Sequence, residues 1–161
     1  MSDEQRVHVK IGEIKVARSC GQLYTIGLGS CIAVALYDAR ERIAGLAHVM
    51  LPAPTSRVQT PGRAAPTAIP EMLRIMEAAG ARRRGMYARI AGGAAMFESV
   101  LPTEGLRLGE RNIEAVRAAL RAAGIPLRAE DVGGTFGRSV YFEAADGRIL
   151  VRAVKRDDVI L

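Results

Sequence analysis

Two apolar runs, Ile32–Tyr37 and Ile43–Val49, stand on either side of the polar segment Asp38–Arg42. Short β-rich runs around a polar break read as a β-hairpin. Pairing Tyr37 with Arg42 across a four-residue loop sets Cys31 directly opposite His48. Cross-strand partners hold their Cβ atoms about 4.5–5.5 Å apart, within reach of a thiolate–imidazole contact. A slip of one residue would send the two side chains to opposite faces, so the reading turns on register. Immediately before Cys31, Gly27-Leu28-Gly29-Ser30 reads as a tight glycine turn feeding the strand. Backbone N–H groups at Gly27, Gly29 and Ser30 are expected to turn toward the space beside the sulfur. A nucleophile, a base opposite it and a turn of backbone donors are the parts of an acyl-transfer site.

Composition narrows the alternatives. The chain has 161 residues, of which 49 % are apolar, and is read as a single domain spanning residues 1–161 with a substantial core. No apolar run approaches the roughly 20 residues of a membrane helix. The start, MSDEQRVHVK, has no apolar core and does not read as a signal peptide, so a cytoplasmic location is expected, without membrane insertion. Two cysteines in such a chain read as thiols, with Cys20 a bystander in a loop. With two histidines, two cysteines and no CxxC pair, neither a metal nor a cofactor is expected. The net charge is +6, and only three of the 23 basic residues are lysine, which suits an acidic partner. No aromatic interleaves with the one cluster, Arg82-Arg83-Arg84, so nucleic acid is not expected.

Taken in order, Val7–Ile11 alternates as a strand, Gly12 turns it, and Ile14–Ala17 pairs back. Leu23–Ile26 is a short strand carrying Thr25; a β-branched residue in a strand is ordinary packing by default, and its hydroxyl is also of a kind that can orient a histidine ring. After the hairpin, prolines stop the strand, and Thr55–Pro66 forms a long polar loop bordering His48. Thr67–Ala79 is an amphipathic helix with Thr67 as cap, Pro70 in the first turn and Gly80 as stop. Met86–Ala91 is a strand, and Gly92-Gly93 a point of close backbone approach. A second helix runs from Gly109 to near Ala123, with Ile113, Val116 and Leu120 inward. Leu127–Asp131, Ser139–Glu143 and Arg148–Val154 are strands, the last two joined at Asp146-Gly147 by a two-residue turn. The tail Lys155–Leu161 is read as peripheral. The resulting fold class is α/β: a sandwich of a mainly antiparallel or mixed sheet system with about two main helices.

These motifs together resemble the CheD family. The matching pieces are Thr25-Ile26-Gly27-Leu28-Gly29-Ser30-Cys31, Gly45-Leu46-Ala47-His48-Val49-Met50-Leu51-Pro52, Thr67-Ala68-Ile69-Pro70, Gly92-Gly93-Ala94 with Met96-Phe97, Gly109-Glu110-Arg111-Asn112, and Gly133-Gly134 with Gly137-Arg138. The resemblance implies a CheD-like α/β fold and a triad of Cys31 as nucleophile, His48 as base and Thr25 as orienter of His48. It implies deamidation of glutamine side chains on the cytoplasmic helices of methyl-accepting chemotaxis proteins, with receptor methylesterase activity in some members. It also implies a CheC-type phosphatase as a partner. Where the family usually carries a lysine, an aromatic and a small polar residue before Thr67, this chain has Arg63-Ala64-Ala65-Pro66. No obligate oligomer is suggested, and a monomer is expected. The rival readings are a non-catalytic chemotaxis adaptor that binds receptor or CheC, and a thiol hydrolase of small amides or esters.

Overall fold

The computed structural model describes residues 5–55, 60–96 and 104–161, with side chains from residue 107 onward in the last stretch. Phe97 and the middle of the Thr55–Pro66 loop lie outside the described residues. One sheet holds β1 (Arg6–His8), β3 (Gln22–Leu28), β8 (Arg138–Glu143), β9 (Ile149–Arg152) and β10 (Val159–Ile160), in that spatial order. The second holds β2 (Ile14–Arg18), β5 (Ile43–Val49), β4 (Ile32–Asp38), β6 (Met86–Gly92) and β7 (Leu127–Val132). Pairing is antiparallel except for β1 with β3 and β6 with β7. Helices α1 (Ala65–Ala78) and α2 (Glu104–Ala122) complete an α/β sandwich.

Strand alternation sorts the core into two layers. On β4, Ile32, Val34 and Leu36 join Ile69, Met72, Leu73 and Met76 of α1 and Ile113, Val116 and Leu120 of α2. The intervening Ala33, Ala35 and Tyr37 meet Leu23, Val140, Phe142 and Val151 of the other sheet. The second sheet is therefore buried on both faces, which is why β4 and β5 read as continuous apolar runs. α1 ends with Ala81 N–H bonded to the Met76 carbonyl (2.9 Å) and Gly80 N–H to Glu77 (3.0 Å). α2 ends likewise, with Ile125 bonded to Leu120 and Gly124 to Arg121 (both 3.0 Å). This is the double bond pattern of a Schellman cap.

Several expectations are corrected. Strands β1 and β2 do not pair; each joins a different sheet, because the Gly12 turn, with φ +78, carries the chain from one layer to the other. α1 begins at Ala65 without a side-chain cap. Thr67 instead donates back to the Pro61 carbonyl (2.6 Å), and Pro70 falls in the second turn. α2 runs through Gly109 and does not begin there. A Cβ on that glycine would stand 2.5 Å from the Gly93 carbonyl oxygen, so Gly109 marks a close helix-to-loop approach, not a boundary. The β8–β9 connection is longer than two residues, with Phe142 paired to Ile149. The tail is not wholly peripheral, since Val159–Ile160 pairs with β9.

The hairpin register also differs. Tyr37 pairs with Ala44, Asp38 with Ile43, and Ala33, not Cys31, stands opposite His48. Asp38 is the cause. Its carboxylate is buried and accepts the N–H groups of Arg40 (3.0 Å), Glu41 (3.3 Å) and Arg82 (2.7 Å). A residue read as the first of the loop is thereby held as the last rung of the ladder, and the loop moves to 39–42.

Candidate active site

The two-residue shift keeps every side chain on its expected face, because the strand period is two. His48 lies on the β5 face that meets the first sheet, and Cys31 packs against that same inter-sheet core. Cys31 sits one residue before β4 and so becomes a diagonal neighbour of His48; such neighbours stand about 7–8 Å apart along the backbone.

Thr25 comes from the opposite sheet. It faces inward on β3, is fully buried, and its Oγ1 lies 2.7 Å from His48 Nδ1. The Thr25 hydroxyl also donates to the Val9 carbonyl at 2.7 Å. A hydroxyl has one proton. Once that proton goes to Val9, the Nδ1 contact requires N–H on the imidazole, donated to Thr25 Oγ1. Nε2 is then the unprotonated nitrogen. It is buried and has no partner among the described residues, as suits a base that awaits a proton. The segment that supplies Val9 also grips the histidine backbone: Gly12 N–H bonds to the His48 carbonyl (2.8 Å), and His48 N–H to Glu13 (3.2 Å).

Three loops converge around Cys31. Its carbonyl accepts the Gly93 N–H (2.9 Å), and the preceding Gly29 carbonyl accepts Ala94 (2.8 Å). Gly133 N–H donates to the Gly92 carbonyl (2.9 Å), and Ala95 N–H to Gly134 (2.9 Å). The glycine-rich 133–138 loop thus backs the segment that holds Cys31, and buried Arg138 pairs with Asp131 at 3.2 Å. Among the described residues, no carbonyl accepts the N–H of Gly29, Ser30 or Cys31, leaving those donors available to an oxyanion. Gly27 is placed differently from the expectation. It lies within β3 at a bulge between Thr25 and Leu28, so the turn proper is only Gly29-Ser30.

Burial pushes the Cys31 thiol above its ordinary value. Burial pushes His48 below its ordinary value, opposed in part by the Val9 carbonyl and assisted by His8. Both directions favour a neutral thiol beside a neutral imidazole, not a standing ion pair. Iodoacetamide alkylation of Cys31, followed in Cys20→Ser protein, is therefore expected to rise with pH about a midpoint above the ordinary thiol value. A midpoint below about pH 7 would instead reveal a preformed thiolate. The sign for stability follows by linkage. As pH falls through the ordinary imidazole range, the unfolded chain takes a proton that buried His48 resists, and stability falls.

Asn112 was not singled out for this site. It is fully buried and its Nδ2 donates to the Ser30 carbonyl (2.9 Å) and the Met50 carbonyl (3.1 Å). The sequence held a signal: Asn112 shares the helical stripe of Gly109, Ile113, Val116 and Leu120, a polar side chain on an apolar face. The Val9 carbonyl, being backbone, had none. A cavity of about 630 Å³ between α1 and α2, lined by Leu73, Ala115 and Ala119 among others, takes in neither Cys31 nor His48. It is set apart from the chemistry.

A buried histidine bonded to a buried hydroxyl, a half-exposed thiol packed against the same inter-sheet core, and backbone N–H groups with no carbonyl partner among the described residues are the kinds of group that thiol acyl transfer uses. The chain belongs to the CheD family. The family model described as CheD chemotactic sensory transduction matches residues 50–153. A Clostridium botulinum protein (strain Alaska E43) called probable chemoreceptor glutamine deamidase CheD is 42 % identical over 94 % of this chain and 95 % of its own. A protein of the same name from the Hall strain is 40 % identical over the same shares. A solved Bacillus licheniformis hypothetical protein, YfiH, overlaps 70 % of this chain and 51 % of its own at 18 % identity and a TM-score of 0.39. That likeness is too slight to bear on fold or chemistry. Among the described residues no helix is long and apolar enough to cross a membrane.

Proposed function

We propose that this protein is a cysteine-dependent protein-glutamine deamidase acting on chemoreceptors, with Cys31, His48 and Thr25 as its catalytic and orienting groups. The reading rests on one observation above the rest. The Val9–Thr25–His48 chain of hydrogen bonds leaves Nε2 buried and without a partner among the described residues, on the same inter-sheet face as Cys31, which supports its reading as the base. The family relatives supply the substrate class: two of them carry the name chemoreceptor glutamine deamidase.

His48 Nε2 takes the Cys31 proton as the sulfur attacks the glutamine carboxamide carbon. The new C–S bond turns the carbonyl oxygen into an oxyanion, held by N–H groups at Gly29, Ser30 and Cys31. One such donor is worth about 2.7–4 kcal/mol of barrier. The Nε2 proton passes to the departing nitrogen, the C–N bond breaks, and ammonia leaves a thioester. Water then gives its proton to Nε2 and attacks the acyl carbon. The C–S bond breaks, the sulfur recovers its proton, and the receptor carries glutamate in place of glutamine. A neutral orienter such as Thr25 stabilises the imidazolium less than a carboxylate would. This suits a base that is neutral at rest and charged only during transfer.

The surroundings suit a protein substrate. Ile26 and Met96, both near the turn before Cys31, are 49 % and 43 % exposed, and Met96 packs against Gly29. The cytoplasmic helices of methyl-accepting chemotaxis proteins are the partner, in the same compartment as the enzyme. A CheC-type phosphatase as second partner and a receptor methylesterase activity are carried from the family resemblance alone.

The test is peptide mass spectrometry of a receptor cytoplasmic fragment incubated with the protein, before and after Cys31 is blocked by iodoacetamide. An amide-to-acid mass change at discrete glutamines, lost on blocking, is the expected result. Equal turnover of free glutamine would favour a small-amide hydrolase. Binding without any mass change would favour the adaptor.

A further inference from the structure

β4 and β5 are paired from Asp38↔Ile43 as far as Ile32↔Val49. The ladder stops there, one residue short of Cys31. Beyond its last rung no ladder pair joins the two strands to each other, and each end is held by other segments: Cys31 by Gly93 and Met50 by Arg63. The side-chain amide of Asn112 lies across that gap. One of its Nδ2 protons goes to the Ser30 carbonyl, the residue before Cys31, and the other to the Met50 carbonyl, two residues after His48. Both protons of the amide are used, and both acceptors are backbone. The side chain has no exposure, so water does not compete for either bond.

We infer that Asn112 is a positioning residue: its amide stands in for the missing rung of the ladder and sets the distance between the Cys31 thiol and the His48 imidazole without touching either. Two features place it there. Gly109, one turn earlier, lets α2 press onto the carbonyls of Gly93 and Ala94 at a distance no side chain would allow. Ile113, next in the helix, packs into the core that holds Ile32 and Val49, the last paired rung. α2 is thereby anchored on both sides of Asn112, and the amide is held rigidly against the two strand ends. Its Oδ1 accepts nothing among the described residues. Leaving a buried acceptor unpaired is unfavourable, which is consistent with a side chain retained for where its donors point.

The inference depends on the deamidase reading only for turnover; thiol chemistry reads the same geometry with no receptor present. Asn112→Leu keeps the volume and removes both donors. In Cys20→Ser protein, so that only Cys31 is labelled, iodoacetamide alkylation at pH 7.5 is measured for four forms: the parent, Asn112→Leu, His48→Gln and the double variant. If Asn112 acts through the thiol–imidazole spacing, either single change slows alkylation and the double variant is no slower than His48→Gln alone. With the receptor fragment, kcat for Asn112→Leu falls about 10- to 100-fold while KM stays within about twofold, the scale expected of a reacting pair misplaced by an ångström. Multiplicative effects on alkylation, or an unchanged kcat in a folded Asn112→Leu protein, overturn the inference. Should the leucine variant fail to fold, Asn112→Ser, which is smaller and keeps one donor, is read by the same cycle and decides it. If no receptor glutamine is deamidated by any form but the alkylation cycle still couples, the substrate reading fails and the positioning role stands.

Discussion

Cys31→Ala is expected to abolish receptor deamidation, by on the order of 10⁴-fold or more, as loss of a nucleophile does when the covalent step has no substitute. His48→Gln is expected to cost about 10²- to 10⁴-fold, the range of a positioned general base. Glutamine retains bulk and hydrogen-bonding capacity in the buried site while removing a nitrogen that can accept the thiol proton. The two losses should not multiply, since without a nucleophile the base has nothing to deprotonate. Thr25 grades the series. Thr25→Val keeps the β-branched shape but deprives the Nδ1 proton of its acceptor and the Val9 carbonyl of its donor. The ring is then free to carry its proton on Nε2, the wrong nitrogen. Thr25→Ser restores the hydroxyl and should restore most of the rate. Initial rates on one receptor fragment, by quantitative peptide mass spectrometry, check all four variants. Full activity in Cys31→Ala would sink the thiol mechanism outright.

The order of that series follows from features of unequal legibility in the sequence. Elements with strong periodicity were readable: the inner faces of both helices and the two runs of the hairpin stand where the pattern puts them. So were the faces that bring Cys31, His48 and Thr25 to one inter-sheet core. The exact pairing was not. Register hung on Asp38, a polar residue that belongs in a loop by type and in a strand by partnership. Its three N–H donors include Arg82, which is 44 residues away in sequence, and no local rule sees that far. The same holds for the division into two sheets. Val7–Ile11 and Ile14–Ala17 look like neighbours along the chain, yet the Gly12 turn sends them to different layers. Gly109 and Asn112 are visible as residues in the sequence, but the contacts they make are not. A glycine reads locally as a helix start, whereas the approach of α2 to the Gly93 and Ala94 carbonyls joins segments distant in sequence. The Asn112 amide likewise bonds to Ser30 and Met50, 82 and 62 residues away.

Gly92→Ala is expected to be the most damaging small substitution for stability. Gly92 has φ +117, a conformation that costs a residue with a side chain about 1–3 kcal/mol. The added Cβ would also lie 2.2 Å from the Cys31 carbonyl oxygen and 3.2 Å from its carbon. Both atoms are backbone, so no side chain can swing aside. Relief requires β6 to draw away from the start of β4, which stretches the Gly93-to-Cys31 bond (2.9 Å) and the Gly133-to-Gly92 bond (2.9 Å). Together these effects should cost about 3–5 kcal/mol, the upper range for a single substitution. At about 2–4 °C per kcal/mol for a chain of this size, the melting temperature should fall by about 6–20 °C. Gly27→Ala is the control. It too has a positive φ, +71, but a Cβ there meets nothing within 4 Å, so only the backbone cost of about 1–2 kcal/mol applies. Thermal melts followed by circular dichroism distinguish the two. Equal shifts would mean that φ alone matters and that the contact with Cys31 is soft. A much larger shift for Gly92→Ala, joined by slower Cys31 alkylation in the protein that remains folded, would mean that the fold presses on the nucleophile's own backbone to hold it in place.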